Sequence, residues 1–382
     1  EFGTGVISKL PSLIALYGNY TLLVTGQQSF LESSHWPALL AALNKAGIGW
    51  EHTRIDNEPS PQLVDETVQQ FQGKGIMAVV GIGGGSVLDA AKAIAGLLPS
   101  GDSVLDYLEG VGPEKPYHGP AAPFIAVPTT AGTGSEATKN AVLSVRGPGG
   151  FKKSFRHDVL VPEYALLDPD LLASCPPPQI AANAMDALTQ LLESYVSIKA
   201  NPFTDALAES GLKAVRDGLF AWYEGGESAA AGRERMAYAA LLSGICLAQA
   251  GLGSVHGLAS PLGAFFPIPH GVVCGTLVSA ATRINLAALR ERDPRNAAWR
   301  KYARAAEILH GCHYGSIEEA HTALLALLDH WTEQLELPRL RAYGIQHSNL
   351  AQVVAHSRGS SMKTNPLVLS DAEIMDILQQ RL

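Results

Sequence analysis

The sequence predicts an α/β half built on a mostly parallel, Rossmann-like sheet, followed by an all-helical half. Three observations carry this expectation. Short apolar runs alternate with helical stretches from Tyr20 to about Asp168, convincing strand patterns stop near residue 175, and Pro176, Pro177 and Pro178 stand consecutively where the character changes. With 382 residues, 47% of them hydrophobic and 17% charged, the chain can bury two cores, so domains at 1–175 and 176–382 are expected.

Taken in order, YTLLVTG (20–26) is a β-branched, apolar run closed by glycine and reads as the first strand. FLESSHWPALLAALNKAG then has helical spacing, with Ser33 or Ser34 able to cap it and Gly47 to stop it. GIGWEHTRI (47–55) reads as a strand and PQLVDETVQQFQGKG as a helix. MAVVGIGGGSVLDAAKAIAGLL (77–98) switches abruptly from strand to helix, whose inner face holds Val87, Leu88, Ala91, Ile94, Ala95 and Leu98. APFIAVPTTAG (122–132) and YALLDPDLL (164–172) supply further strands. Beyond the prolines, IAANAMDALTQLLESYVS and residues 203–223, 233–250, 271–289, 299–311, 317–334 and 371–381 all carry helical patterns. No internal repeat or low-complexity tract interrupts them.

The formal charge is −8 and no Lys/Arg-rich run occurs, which argues against a nucleic-acid partner. Cys175, Cys246, Cys274 and Cys312 form no CxxC pair and read as reduced thiols of a cytoplasmic protein. The first residues, EFGTGVISKL, show no secretory pattern, and their abrupt start leaves room for a preceding strand. From Met236 to Thr282 there is no Asp, Glu, Lys or Arg. Gly251, Gly253, Pro261, Pro267 and Pro269 interrupt that run too often for one lipid-facing helix, so it reads as buried core and no membrane partner is expected.

Two loops suggest anion binding. In GIGGGSVLDAAK (81–92) Gly84 and Gly85 allow close backbone approach, Ser86 is suited to cap the helix, and the helix N-terminus favours a phosphate. The spacing is not GxGxxG, and a merely tight strand-to-helix turn is the bland alternative. VPTTAGTGSEATKN (127–140) is a second hydroxyl-rich loop after a strand, and two such loops at neighbouring strand ends are where α/β sheets hold a dinucleotide. In the helical half, Asp186 and Gln190 share a helix face, while His256 and His270 flank a proline-broken stretch. One carboxylate and two imidazoles suit Zn2+ or Fe2+ with an open position, but spacing alone fits two core histidines equally well.

GGGSVLDAAK, VPTTAGTGSEAT, DALTQLLESYVS and HGLASPLGAFFPIPHG together resemble the iron-containing (group III) alcohol dehydrogenase family, in matching order along nearly the whole chain. The resemblance implies the shared dehydroquinate synthase-like architecture, with an N-terminal dinucleotide-binding domain, a helical metal-binding domain and a cleft between them. It also implies NAD(P)-linked interconversion of alcohols and aldehydes, and a homodimer. By position Asp186, His256 and His270 match three of the family's four metal ligands, and Gln190 stands where the pattern DAxxH has His. Ser260 stands where many members have a further histidine assigned to proton relay, so it joins the catalytic candidates. Gly84, Gly85 and Ser86 would hold the pyrophosphate, Thr129, Thr130 and Thr133 would contact the cofactor, and Lys152 falls at a cofactor-contacting lysine. Lys153 is an alternative register for that lysine. Asp89 would lie near the nicotinamide.

Many NAD-using members place Asp after VT; here that position is Gly26, followed by Gln27, Gln28 and Ser29. The charge that repels a 2′-phosphate is absent, so NADP is expected to be favoured slightly over NAD. Three competing readings share parts of this pattern: a dehydroquinate synthase-like lyase, a maleylacetate reductase-like enzyme, and a metal-free dinucleotide-binding protein. The first needs a cleft rich in Lys and Arg, which the metal motifs lack. The second has loops unlike GGGSVLDAAK and DALTQ. The third rests on Gln190 and Ser260.

Overall fold

A computed structural model describes every residue from Glu1 to Leu382 except Pro148, and the chain divides into two units. Unit 1 comprises Glu1–Val145 and Lys152–Cys175. It contains α1 (Leu10–Ile14), β1 (Tyr20–Gly26), α2 (His35–Lys45), β2 (Gly49–Ile55), α3 (Pro61–Phe71), β3 (Ala78–Gly83), α4 (Gly85–Leu97), β4 (Phe124–Pro128), β5 (Asn140–Val145), β6 (Phe151–Arg156) and β7 (Tyr164–Ala165). The main sheet has the order β2-β1-β3-β4-β7, and every neighbouring pair in it is parallel.

That order reverses direction at β1: the chain goes first to β2 on one side, then to β3 on the other. In such sheets the ligand crevice opens at the carboxyl ends of the strands flanking the reversal. Those ends are Gly26 of β1 and Gly83 of β3, with Pro128 of β4 in register beside Gly83.

The two faces of β3 are specified by alternation. Val80 and Ile82 join Leu23, Ile125 and Val127 in a core with Leu10, Ile14, Leu39 and Leu43. The opposite face carries Gly81 and Gly83, where an added Cβ would lie 2.8 Å from Ala91 and 2.5 Å from Val87 respectively. These glycines let α4 approach the sheet, which fixes where its N-terminus points.

Helix α2 begins at His35 with Ser34 at the cap position, as expected, although the Ser34 side chain makes no cap hydrogen bond. The Ser33 hydroxyl accepts from the His35 N–H instead, and Phe30, ahead of the helix, packs in the core against Trp36. Several local expectations are corrected. The strand expected over 164–172 is limited to Tyr164–Ala165, because Asp168 accepts from the Asp170 N–H and starts a 3-10 turn through Pro169–Leu172. NAVLSV and FKKSFR, not anticipated as strands, form the separate two-stranded sheet β5-β6.

Unit 2 comprises Arg146–Phe151 and Pro176–Leu382. Its helices are α5 (Pro177–Val196), α6 (Pro202–Tyr223), α7 (Ala229–Ala250), α8 (Ser254–Phe265), α9 (His270–Arg292), α10 (Ala297–His310), α11 (Ile317–Gln334), α12 (His347–Ala355) and α13 (Asp371–Gln380). No strand follows Ala165 among the described residues. Helices α8 and α12 were not expected; Pro261 lies inside α8, where burial of its neighbours outweighs the missing N–H. The charge-free run thus becomes the end of α7, all of α8 and the start of α9. Helix α9 is long and apolar enough to cross a membrane by length and composition, yet 83% of its apolar window is buried inside the protein. Val255, Leu258, Leu262, Val273, Leu277 and the α12–α13 side chains Leu350, Ile374 and Ile377 share one core with it.

Candidate functional site

Helix α5 is buried along most of its length, so its polar side chains must find partners within the protein. Asp186, 1% exposed, places Oδ1 3.2 Å from His256 Nε2 and 3.8 Å from His270 Nε2. His256 is the third residue of α8 and His270 the first of α9, and their ring centroids are 5.4 Å apart. One turn further along α9, Cys274 Sγ lies 3.5 Å from His256 Nε2 and 3.8 Å from His270 Nε2. Donor atoms of all four residues fall within 4.8 Å of one another. Asp186 Oδ2 is buried with no hydrogen-bond partner, as expected of an oxygen reserved for a cation. The donor set and this orphaned oxygen fit a divalent metal.

Glu193, two turns along α5 from Asp186 and on the same face, sets the orientation of His256. Its carboxylate accepts from the Val255 N–H at 2.6 Å, the His256 N–H at 3.4 Å and the His256 Nδ1–H at 2.7 Å. Two of these donors are N-terminal amides of α8, which have no helical acceptor. Donation by Nδ1 leaves Nε2 directed at Asp186 and able to ligate a metal. Burial opposes a charge on His256, but Cys274, Asp186 and Glu193 outweigh it and raise the imidazole well above its usual range. Burial likewise favours a neutral Asp186, and His270 and His256 reverse this, lowering its pKa. Burial and then Asp186 push the Cys274 thiol up to about 12. A cation entering this cluster therefore displaces protons.

Gln190 lies one turn beyond Asp186, and its Oε1 accepts from the Ser243 hydroxyl of α7 at 3.0 Å. Ser260 is half-buried on α8, one turn beyond His256.

In unit 1, the cap of α4 is Gly84 in extended backbone, and Ser86 lies inside the first turn, correcting its expected role as the cap. An added Cβ on Gly84 would sit 3.2 Å from Thr130 Cγ2, and one on Gly85 would sit 2.8 Å from Thr133 Oγ1. The two loops expected to bind the same ligand therefore pack directly on each other. Thr129 N–H donates to the Gly83 carbonyl at 2.9 Å, continuing the strand register into the loop. Asp89 accepts from the Ser135 hydroxyl at 2.6 Å and the Val142 N–H at 3.2 Å. Beside it, fully buried Lys92 donates to the carbonyls of Ser135 and Asn140, each at 2.8 Å, and burial lowers its pKa to about 8. Asp89 and Lys92 thus tie α4 to the second loop. Lys152 pairs with Glu58 at 2.7 Å, whereas Lys153 is exposed. For Gly85→Ala we expect the collision with Thr133 to raise the KM for the nicotinamide cofactor about tenfold, or 1.4 kcal/mol. Steady-state kinetics with varied cofactor measure this; an unchanged KM would mean that the loop yields without consequence.

Glu193 and Cys274 were not anticipated from sequence. The signal was helical periodicity: Asp186, Gln190 and Glu193 share one face of α5, and His270 and Cys274 share one face of α9.

A doubly wound sheet with a phosphate-type loop, joined in one chain to a buried Asp/His/His cluster, defines a metal-dependent, nucleotide-linked oxidoreductase architecture. Residues 1–169 match the family model for iron-containing alcohol dehydrogenase, and residues 180–382 match the C-terminal model of the Fe-containing alcohol dehydrogenase family. Alcohol dehydrogenase 4 of Schizosaccharomyces pombe is 31% identical over 382 residues, covering 99% of this chain and 86% of that protein. A solved 1,3-propanediol oxidoreductase aligns with a TM-score of 0.88 and 28% identity, over 100% of this chain and 97% of its own. A sulfoacetaldehyde reductase from Bifidobacterium kashiwanohense, solved in complex with NAD+, aligns with a TM-score of 0.81 and 26% identity, over 100% and 96% of the two chains. The chain belongs to the iron-containing alcohol dehydrogenase family, whose activity is NAD(P)-linked interconversion of alcohols and aldehydes.

Proposed function

We propose that Asp186, His256 and His270 hold one divalent metal, Fe2+ or Zn2+, at which a primary alcohol and its aldehyde are interconverted. The convergence of these three side chains at 3.2 and 3.8 Å carries the reading. A metal bound there would supply Lewis-acid polarisation of the substrate oxygen, and a bound nicotinamide would supply or accept the hydride. The chain's own residues do the rest. Glu193 holds His256 in its ligating tautomer. The apolar walls formed by α8 and α9 exclude water, which strengthens every charge interaction at the site. With Ser260 where the family pattern has a histidine, the alcohol proton would leave through water, a cofactor ribose hydroxyl or Ser260 itself. Backbone amides of Gly84, Gly85 and Ser86 would hold the pyrophosphate at the positive end of α4. Thr129, Thr130, Thr133 and Lys152 contact the cofactor, and Asp89 acts through the loop it anchors.

NADP(H) is used in preference to, or as well as, NAD(H). Support comes from Gly26 at the carboxyl end of β1, where a carboxylate would repel a 2′-phosphate. An added Cβ there meets only Val87 Cγ2, at 3.7 Å, an ordinary van der Waals contact, so the backbone at Gly26 has room for a side chain to start. Gly26→Asp is expected to shift the kcat/KM ratio towards NAD(H) by about tenfold, or 1.4 kcal/mol. A wild-type preference for NADH of about tenfold or more would sink the NADP assignment. Activity across a panel of alcohols and aldehydes with both cofactors, alongside metal analysis of protein purified without chelator, tests the whole proposal. We further place the enzyme in the cytoplasm as a homodimer without membrane or nucleic-acid partners. The separated free cysteines and the family resemblance support this, and light scattering of the purified chain checks the dimer.

A further inference from the structure

We propose that Cys274, rather than Gln190, supplies the fourth protein ligand, as a thiolate, making the centre an Asp/His/His/Cys site. This rests on the reading that Asp186, His256 and His270 bind a metal. With metal–sulfur bonds of about 2.3 Å and metal–nitrogen or metal–oxygen bonds of about 2.0–2.1 Å, a tetrahedron has N···S edges near 3.6 Å and N···O edges near 3.3 Å. The observed N···S separations are 3.5 and 3.8 Å, and the N···O separations are 3.2 and 3.8 Å. Three of these four edges lie within about 0.2 Å of the tetrahedral values, and all four donors fall within 4.8 Å of one another. Cys274 is fully buried and held on α9 one turn from His270, so both ligands are positioned by the same helix. Gln190 Oε1 accepts from the Ser243 hydroxyl at 3.0 Å, which commits one of its two lone pairs and ties it to α7.

The chain has lost the histidine of the DAxxH pattern, and the thiol brings the number of protein donors back to four. On binding, the Sγ–H bond breaks, the Sγ–metal bond forms, and the proton passes to bulk water. One carboxylate and one thiolate then balance a divalent charge within a segment that has no Lys or Arg from Met236 to Thr282. A soft sulfur donor shifts the preference from Fe2+ towards Zn2+.

Metal-depleted protein is reconstituted with Zn2+ or Co2+ and studied by X-ray absorption at the zinc edge and by the near-ultraviolet sulfur-to-cobalt charge-transfer band. The wild type is expected to show one sulfur at about 2.3 Å and the cobalt band. Cys274→Ser should lose both signals and bind Zn2+ about tenfold or more weakly, while Gln190→Ala keeps both signals. A first shell of only nitrogen and oxygen at full metal occupancy overturns the Cys274 assignment and leaves the Asp/His/His reading standing. Failure of the wild type to take up one ion per chain overturns both.

Discussion

Asp186→Ala, His256→Ala and His270→Ala are each expected to lower kcat/KM by at least about 10³-fold, or 4 kcal/mol, and to abolish stoichiometric metal. The magnitude follows from what the metal replaces. In this core no Lys or Arg stands ready to polarise the substrate oxygen, because the segment from Met236 to Thr282 carries neither. Losing one of three hard or borderline donors removes a large share of the binding free energy and leaves the remaining ligands as an ordinary buried polar cluster. The fold should survive. His256→Ala leaves Glu193 still accepting from the Val255 and His256 amides, and the apolar core around α8 and α9 is untouched. Metal analysis, steady-state kinetics and circular dichroism on the three variants together check this. A His256→Ala protein that keeps full metal occupancy and turnover would falsify the ligand assignment.

Glu193→Ala is expected to cost about 3 kcal/mol of stability and to weaken metal binding about 10–100-fold. The carboxylate accepts from three buried N–H groups, and deleting it strands two of them at the start of α8, where no helical carbonyl can substitute. It also frees the His256 ring to rotate or change tautomer, so that Nε2 no longer points at Asp186. For a unit of about 200 residues, such a loss lowers Tm by roughly 6–12 °C. Glu193→Gln keeps one acceptor oxygen but brings an NH2 against the remaining donors, and should fall between wild type and alanine. Thermal unfolding and metal affinity by chelator competition separate the two effects. A purely structural role predicts lost Tm with unchanged metal affinity, and that result would remove Glu193 from the site as a positioning residue.

Much of the architecture was legible because its signals are local. An apolar run ended by glycine, followed by 3.6-residue periodicity, specifies a strand and then a helix wherever it occurs, as in Ala78–Gly83 and Gly85–Leu97. The proline triplet and the change from alternating to helical patterns separated an α/β half from a helical one. Weak or short elements were not legible for the same reason. FKKSFR looks like a polar loop until it pairs with NAVLSV, and α8 carries a proline that local rules read as a break. The glycine-rich turn before α4 announced itself through its glycines, yet its packing against Thr130 and Thr133 did not, because a glycine records only that something comes close.

Residue types alone named Asp186, His256 and His270 as candidates and posed the choice between a metal and two core histidines. Which groups actually meet was decided by the tertiary fold. Sheet order brings Gly26, Gly83 and Pro128 to neighbouring strand ends, although β4 begins 41 residues after β3 ends. The packing of α5 against α8 and α9 brings Glu193 to His256, 63 residues away, and seats Cys274 beside both histidines. Such convergence depends on helix crossing and burial, quantities that no local window of sequence contains. Once burial has removed water, the polar atoms of Asp186, Glu193 and His256 must be satisfied by one another and by neighbouring backbone amides, which makes their convergence specific.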